Sequence, residues 1–323
     1  MNRNIRTTLF VALLATACQK AEDTPINSGE SICLRAEIET TTVVQSKVSN
    51  AFPNQGKIAV IAAYCDAAGT LTSDWNNRHI DDQMATENNS LFTWETPQYW
   101  PFNGDNLCFL AYSPKATSNL GDPLTLSATT LTMTLPADNS KMPDILYSDS
   151  KPVANKATPN VDLGQLKHAL SQVQLKIMTQ DIGEPIQLKT LSLTTKKQAE
   201  FDLSSPATLL AKGNGIMTYT LVKTTTDLQK NHTYSYAPLL VFPDVSGADT
   251  KIHIRLGYAL GGATTDVAID YSVSDFLTNT TLAKLERAKC SILILTIQGQ
   301  QITSLSGEVT PWNPVKDYEV TIE

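Results

Sequence analysis

The chain has 323 residues, 25 Lys and Arg against 32 Asp and Glu, and a formal net charge of −7 at pH 7. That acidic balance argues against a nucleic-acid-binding surface, so no nucleic-acid partner is expected. The length is enough for two domains of ordinary size, and abundant Thr with Gly and Pro between short apolar runs favours an all-β chain.

Arg3 and Arg6 precede an apolar run, Leu9–Ala15, that is too short to span a bilayer as a helix. It ends in Leu14-Ala15-Thr16-Ala17-Cys18. A positive start, a short apolar centre and small residues read as an export signal over residues 1–17. A Cys directly after the small residues is the pattern of a bacterial lipoprotein signal. Cys18 is then the expected lipidation site and the first residue of the mature chain, tied to the outer membrane. The alternative is a plain secretion signal with an incidental Cys. Residues 18–30 are polar, carry Glu22, Asp23 and Glu30, and read as a tether between lipid and fold.

Ser31–Glu39 alternates: Ile32, Leu34, Ala36 and Ile38 share one face, and Cys33, Arg35, Glu37 and Glu39 the other. This predicts a strand with one buried side. Lys57–Cys65 is apolar on both faces and should be central. Thr72–Ser90 is polar and irregular, which predicts a long surface loop. Leu91–Trp94 is a short strand leading into Tyr99–Pro114, where prolines and an Asn103-Gly104 turn bound the apolar run Leu107–Tyr112. That run predicts a core strand. Leu124–Leu135 alternates again, and Asp144–Tyr147 is a short apolar strand.

Ser148–Asp162 holds Pro152 and Pro159 without an apolar period, which predicts a domain boundary. We place it at 155/156, giving domains 31–155 and 156–323. Beyond it, Leu163–Ile177 opens a new module. Leu188–Thr195, Ala199–Leu203, Ile216–Val222, Thr233–Val241, Lys251–Tyr258, Val267–Val273, Ser291–Gln298 and Ile302–Val309 follow as strands. Leu277–Arg287 could form one or two helical turns. Several short strands in each half, separated by turns, are the signature of β-sandwich domains.

Chemistry-bearing patterns are sparse. His79, His168, His232 and His253 have no metal-ligand spacing, and Asp81-Asp82 near His79 reads as a solvated loop. Cys33, Cys65, Cys108 and Cys290 form no CxxC pair and read as small buried thiols. No nucleophile elbow, phosphate loop or dinucleotide fingerprint occurs. No catalytic residue, metal or cofactor is expected. Among the aromatics, Trp94 and Trp100 read as core. Trp75 lies in a polar stretch and is the candidate glycan contact, since an exposed ring can stack on a sugar.

The wording of several segments resembles the fimbrillin-like family, subunits of type V pili of Gram-negative bacteria. Tyr99-Trp100-Pro101 followed by Leu107–Pro114, LCFLAYSP, is similar to that family's aromatic-Trp-Pro and Phe-x-Ala-Tyr-x-Pro strand. Asp144–Tyr147 and the His168-to-Val173 strand resemble two further family segments, with Leu166 where Phe is usual. Ala288-Lys289-Cys290 before Ile292–Ile297, and the closing Trp312, fit the family's C-terminal pattern.

The resemblance implies two tandem transthyretin-like β-sandwich domains and assembly with other pilin subunits at the cell surface. It also implies a mechanism. A protease removes the first strand of a polymerising subunit, and the groove accepts a neighbour's C-terminal strand, a form of β-augmentation. The candidate removable strand carries Ile32, Leu34, Ala36 and Ile38. The candidate donor strand carries Tyr318, Val320 and Ile322. Arg35 and Lys47 are the candidate cleavage positions. Arg35 lies inside the strand, no other Arg occurs before Arg78, and only 11 residues follow Trp312 (323 − 312). These departures favour an accessory tip or anchor subunit over a major stalk subunit, with a host protein or glycan as candidate ligand. The alternative expectation is a surface lipoprotein that binds glycans through exposed aromatics.

Overall fold

The computed structural model describes residues 30–38, 56–88, 91–116, 123–158, 160–183, 186–205, 209–211, 215–244, 246–260, 263–277, 284–299 and 301–311. These residues are almost entirely β. In the first half the strands are β1 (Cys33–Ile38), β2 (Lys57–Cys65), β3 (Arg78–Asn88), β4 (Leu91–Trp94), β5 (Asn106–Ser113), β6 (Leu124–Ser127), β7 (Thr130–Thr134), β8 (Leu146–Ser148), β9 (Val153–Ala154) and β10 (Asn160–His168). In the second half they are β11 (Ser171–Thr179), β12 (Ile186–Lys196), β13 (Gln198–Asp202), β14 (Leu209–Ala211), β15 (Ile216–Val222), β16 (Thr226–Leu228), β17 (Thr233–Ser235) and β18 (Leu239–Val241). The last group is β19 (Lys251–Leu260), β20 (Ala263–Ser272), a four-residue helix α1 (Val273–Phe276), β21 (Lys289–Gln298) and β22 (Gln301–Pro311).

The first sheet runs β2-β3-β4-β1-β10-β8-β5-β9, and β2 also pairs with β5. That extra pairing closes β2, β3, β4, β1, β10, β8 and β5 into a ring. Closure removes open edges, as in a small barrel. The ring is filled by one apolar cluster that includes Ile32, Leu34, Val60, Phe92, Trp100, Phe109, Val161 and Leu166.

The all-apolar sequences of β2 and β5 now have a cause. Ile58, Val60 and Ala62 of β2 line the ring interior, whereas Ala59, Ile61 and Ala63 belong to a second core outside it. On β5, Leu107, Phe109 and Ala111 point inward, and Cys108, Leu110 and Tyr112 join the outer core. A strand with a core on each side has no polar face to show.

The second half forms two further sheets. One runs β17-β11-β21-β22 with β18 also on β11; the other runs β15-β12-β19-β20 with β16 on β12. Leu175 of β11, Leu293 of β21, Leu193 of β12 and Ile254 of β19 share the outer core, as in sheets packed face to face.

A fourth sheet, β14-β13-β7-β6, joins the halves. The β6–β7 hairpin comes from the first half and the β13–β14 hairpin from the second, with Leu131 opposite Phe201 and Met133 opposite Ala199. Three side-chain links reinforce this joint. The Thr129 hydroxyl donates to Asp202 at 2.7 Å. The Asn139 amide donates to the Leu240 carbonyl and accepts from the Leu240 N–H, both at 2.8 Å. Arg287 donates to the Tyr147 hydroxyl at 3.0 Å and lies over the rings of Tyr147 and Phe201, whose centroids are 4.5 Å apart.

Several expectations need correction. The expected boundary at 155/156 falls inside the first sheet, because β10 pairs in parallel with β1 and antiparallel with β8. The proline-rich stretch is a crossing within one sheet. The expected loop Thr72–Ser90 contains β3, which pairs with β2 and β4. The expected strand Thr233–Val241 is broken at Tyr236–Pro238, since Pro238 has no N–H for a ladder. The short α-helix Val273–Phe276 lies just before the stretch expected to be helical.

Candidate assembly site

β1 lies between two partners. Leu34 and Arg35 pair with Phe92 and Leu91 of β4, and Cys33–Ile38 pairs with Asn160–Leu166 of β10. The alternation expected from sequence holds here. Ile32, Leu34 and Ala36 are buried in the ring, and Ile38 is half-buried against it. Arg35 and Glu37 face solvent and pair with each other at 3.0 Å, with more than half of each side chain exposed. Exposed pairs of this kind contribute little stability. The strand is therefore held by its apolar face and by backbone ladders on both edges. The entry to β1 is also fixed: the Ile32 N–H donates to the Gln98 carbonyl, and the Trp94 indole N–H to the Ile32 carbonyl at 2.7 Å.

Arg35 sits mid-strand, with its backbone opposite Leu91 on one side and Asp162 on the other. A protease that reads extended, accessible chain has no access to such a bond without local unfolding. Cys18, Lys47, Trp312, Tyr318, Val320 and Ile322 lie outside the described residues.

Trp75 does not present a stacking face. It is 9% exposed and belongs to the outer core. Asp74 folds its segment by accepting from the N–H groups of Asn76 and Asn77. Arg78 locks it by donating to the Trp75 carbonyl and to the Ala128 carbonyl, both at 2.6 Å. The glycan contact expected at Trp75 is withdrawn on this burial.

The polar clusters are engaged in structure. Asp81 pairs with Arg78 at 2.7 Å. His168 and Asp144 meet at 2.9 Å, and His253 faces Asp270 at 2.7 Å. The cysteines at positions 65, 108 and 290 are free thiols. Burial, with the neighbouring Cys108 thiol, pushes Cys65 up to about 12, which removes its thiolate at neutral pH. Among the described residues no three His, Cys, Asp or Glu side chains gather as a metal site.

Tyr112, on the outer face of β5, donates to Asp82 at 2.6 Å and accepts from the Ala116 N–H at 3.2 Å. Burial raises its phenol far above the ordinary value of 10.0, and the hydrogen bond to Asp82 and that group's negative charge raise it further. The folded state thus holds this proton more tightly than the unfolded state. The associated stability is fully present below about pH 10 and is lost as pH rises above it. Removing the hydroxyl leaves Asp82 short of one donor, which costs about 2 kcal/mol. Tyr112→Phe is expected to lower stability by that amount at pH 7 and to flatten the decline above pH 10. Urea titrations at pH 7 and pH 10.5 check both; an equal decline in the two proteins would remove Tyr112 as its source.

A site the sequence did not reveal lies at the start of the Tyr99–Pro114 stretch. A cavity of about 460 Å³ opens there, walled by Tyr64, His79, Tyr99, Trp100 and Phe102. From sequence, Trp100 reads as core, Tyr64 as part of a central strand and His79 as part of a solvated loop. The available signal was Phe102 itself, an aromatic placed between Pro101 and the Asn103-Gly104 turn, where a ring has little to pack against.

The fold as a whole has counterparts among solved structures. A fimbrial protein from Bacteroides vulgatus has a TM-score of 0.59 and 15% identity, covering 88% of this chain and 99% of that one. A candidate cell adhesion protein from Bacteroides uniformis has a TM-score of 0.52 and 15% identity, covering 88% and 98%. Another from Bacteroides ovatus has a TM-score of 0.52 and 12% identity, covering 89% and 99%. At such identities the likeness establishes the fold. No curated protein matches the chain. The sequence profile of the fimbrillin-like family matches residues 40–312, from just after β1 through the final described strand. With that span and this all-β architecture, the chain belongs to the fimbrillin-like family.

Proposed function

We propose that the protein is a non-catalytic pilus or adhesion subunit of the cell surface that joins its neighbours by strand exchange at the β1 position. One observation carries this reading: β1 is buried on one face and hydrogen-bonded along both edges inside a closed ring. Removing it would leave an apolar groove between β4 and β10 with two unpaired backbone edges. Such a groove is filled best by another extended segment with alternating apolar residues. Tyr318, Val320 and Ile322 of a neighbouring copy or pilin supply that alternation. Membership of the fimbrillin-like family and the fold shared with a fimbrial protein support the same reading.

Within an assembly, an accessory tip or anchor position fits better than the stalk. Arg35 is paired on both sides, with Leu91 and Asp162, and Ala36 after it is buried, so an intact β1 and a lipid retained on Cys18 go together. Mass spectrometry of surface-extracted protein tests the anchor form. The expected N-terminus is lipidated Cys18, and an N-terminus at Ala36 or Val48 would refute it. Strand exchange is tested separately by placing a specific protease site within 39–50 and cutting there. The cut protein should take up a labelled peptide of residues 31–38 in exchange for its own strand, read by fluorescence anisotropy. A cut protein that stays folded after its strand is washed away, and binds no peptide, would end the exchange mechanism.

A further inference from the structure

The cavity beside Trp100 backs onto the ring that holds β1, sharing Trp100 with it, and has a distinct chemistry. Tyr64 of β2, His79 of β3 and the Tyr99–Asn103 segment line it. Its volume, about 460 Å³, lies in the range of small-molecule sites, about 300–1,000 Å³. Its rim carries Phe102, which is 84% exposed, the most exposed of the large apolar side chains described. A ring left in water beside a concavity lined by other rings marks a contact surface.

The polar groups of the cavity are fixed in place. The Tyr99 carbonyl can only accept, so His79 Nε2 carries the hydrogen of their 2.8 Å contact. In the neutral ring His79 Nδ1 then accepts the Tyr64 hydroxyl proton at 2.9 Å. The Tyr64 oxygen is left to accept from a ligand. The Asn103 amide nitrogen donates one hydrogen to Asp105 at 2.6 Å and keeps a second. The wall itself is anchored: the Trp100 N–H donates to the Glu30 carbonyl at 3.1 Å, and Tyr99 bridges to Ser31. Gly104, with φ of 76°, turns the chain after Asn103 and donates to the Pro101 carbonyl at 3.2 Å. Trp100 Nε1 is buried with no hydrogen-bond partner, a donor that its surroundings leave unused.

Among the described residues no carboxylate, ammonium or guanidinium lines the cavity, and Asp105 just behind it is engaged by the Asn103 amide. Phosphates, sulfated or sialylated sugars and amines would enter without a counter-charge, so the site selects a neutral ligand. A neutral ligand with one apolar face and a rim of hydroxyls meets every feature: C–H groups against Phe102 and Tyr99, hydroxyls against Tyr64 and Asn103. We propose that this cavity binds one sugar ring of a neutral glycan, with Phe102 as the stacking platform and Asn103 and Tyr64 as the hydroxyl readers. The proposal concerns the protein with β1 in place, because Glu30 and Ser31 at the entry to β1 hold the cavity wall.

The test uses the full chain on a panel of neutral oligosaccharides built from glucose, galactose, mannose, fucose and N-acetylhexosamines. Sialylated and sulfated glycans and a proline-rich peptide serve as competing classes. Hits are measured by titration calorimetry. Phe102→Ala is expected to weaken a neutral-glycan hit at least about fivefold, the loss typical of one stacking ring. Its exposed position keeps folding out of the comparison, which matching thermal unfolding of the two proteins verifies. Asn103→Ala should weaken it too, and Leu91→Ala, an exposed apolar residue on β4, should not. The proposal is overturned if no neutral glycan binds, if Phe102→Ala binds as wild type, or if only charged glycans or the peptide bind.

Discussion

Leu34→Asp is expected to abolish stable folding of the first-half ring, whereas Arg35→Asp next to it leaves stability within about 0.5 kcal/mol. The two residues are adjacent on β1 and differ only in the face they occupy. Leu34 is 0% exposed and packs within the ring cluster. Truncating such a side chain costs about 2–5 kcal/mol through lost transfer energy and a cavity. A carboxylate there adds its own desolvation, and among the described residues no Lys or Arg is buried to offset it. That total is comparable with the whole stability of an ordinary domain, about 5–15 kcal/mol. Arg35→Asp loses an exposed pair with Glu37 and adds a carboxylate near Glu37 and Asp162, a repulsion that water screens at this exposed face. Thermal and urea unfolding followed by tryptophan fluorescence report directly, because Trp94 and Trp100 lie in the ring cluster. Equal, small effects from both substitutions would mean that β1 is not seated in the ring.

The second large effect concerns the joint between the halves. A chain ending at Asn155 is expected to show no cooperative unfolding transition. It lacks β10, the parallel partner that lies along β1, and β13, the partner of β7. It also strands Leu131 and Met133, which pack in the outer core with Phe201 and Ala199. In the intact chain, Phe201→Ala tests the same joint. Phe201 is buried, stacks edge-on against Tyr147 and lies under Arg287. Its truncation should cost about 3–5 kcal/mol and should lower the unfolding temperature of the whole molecule rather than of one half. Differential scanning calorimetry separates these outcomes. A fragment that melts cooperatively on its own, or a variant that splits into two transitions with one unshifted, would show that the halves fold independently.

Much of the architecture was legible where burial is one-sided or complete. The period-2 pattern of β1 and the apolar runs of β2, β5 and β21 read correctly, because side chains alternate across a strand whatever its partners. The failures share a cause, which is that pairing is non-local. β3 is polar because its burial is confined to Ile80 and Ala85, and neighbours on both sides hold the rest. No alternation survives in such a strand. β10 was split from its sheet because its own rhythm slips. Val161 and Leu163 are buried, then Leu166 and His168, with Gly164 at φ of 70° between them. The register against β1 shifts there too, from Arg35 opposite Asp162 to Glu37 opposite Gln165, the mark of a bulge. Trp75 looked exposed because its neighbours are polar; contacts made by Arg78 with Ala128, 50 residues on, were invisible in the sequence. The cavity beside Trp100 escaped for the opposite reason. Its aromatic wording matched a packing motif, and only the coordinates show that Phe102 is left outside.

The sheet shared by β7 and β13 bears on how such proteins diversify. Where two domains are joined by a bare linker, recombination can trade one for another and each newcomer arrives complete. Here a crossover within 149–158 would set the β6–β7 hairpin of one parent against the β13–β14 hairpin of the other, and β1 of one against β10 of the other. Every seam would have to match at once. Substitution in exposed turns such as Phe102–Gly104 disturbs none of these seams, so the shared sheet favours that route to a new surface over exchange of halves.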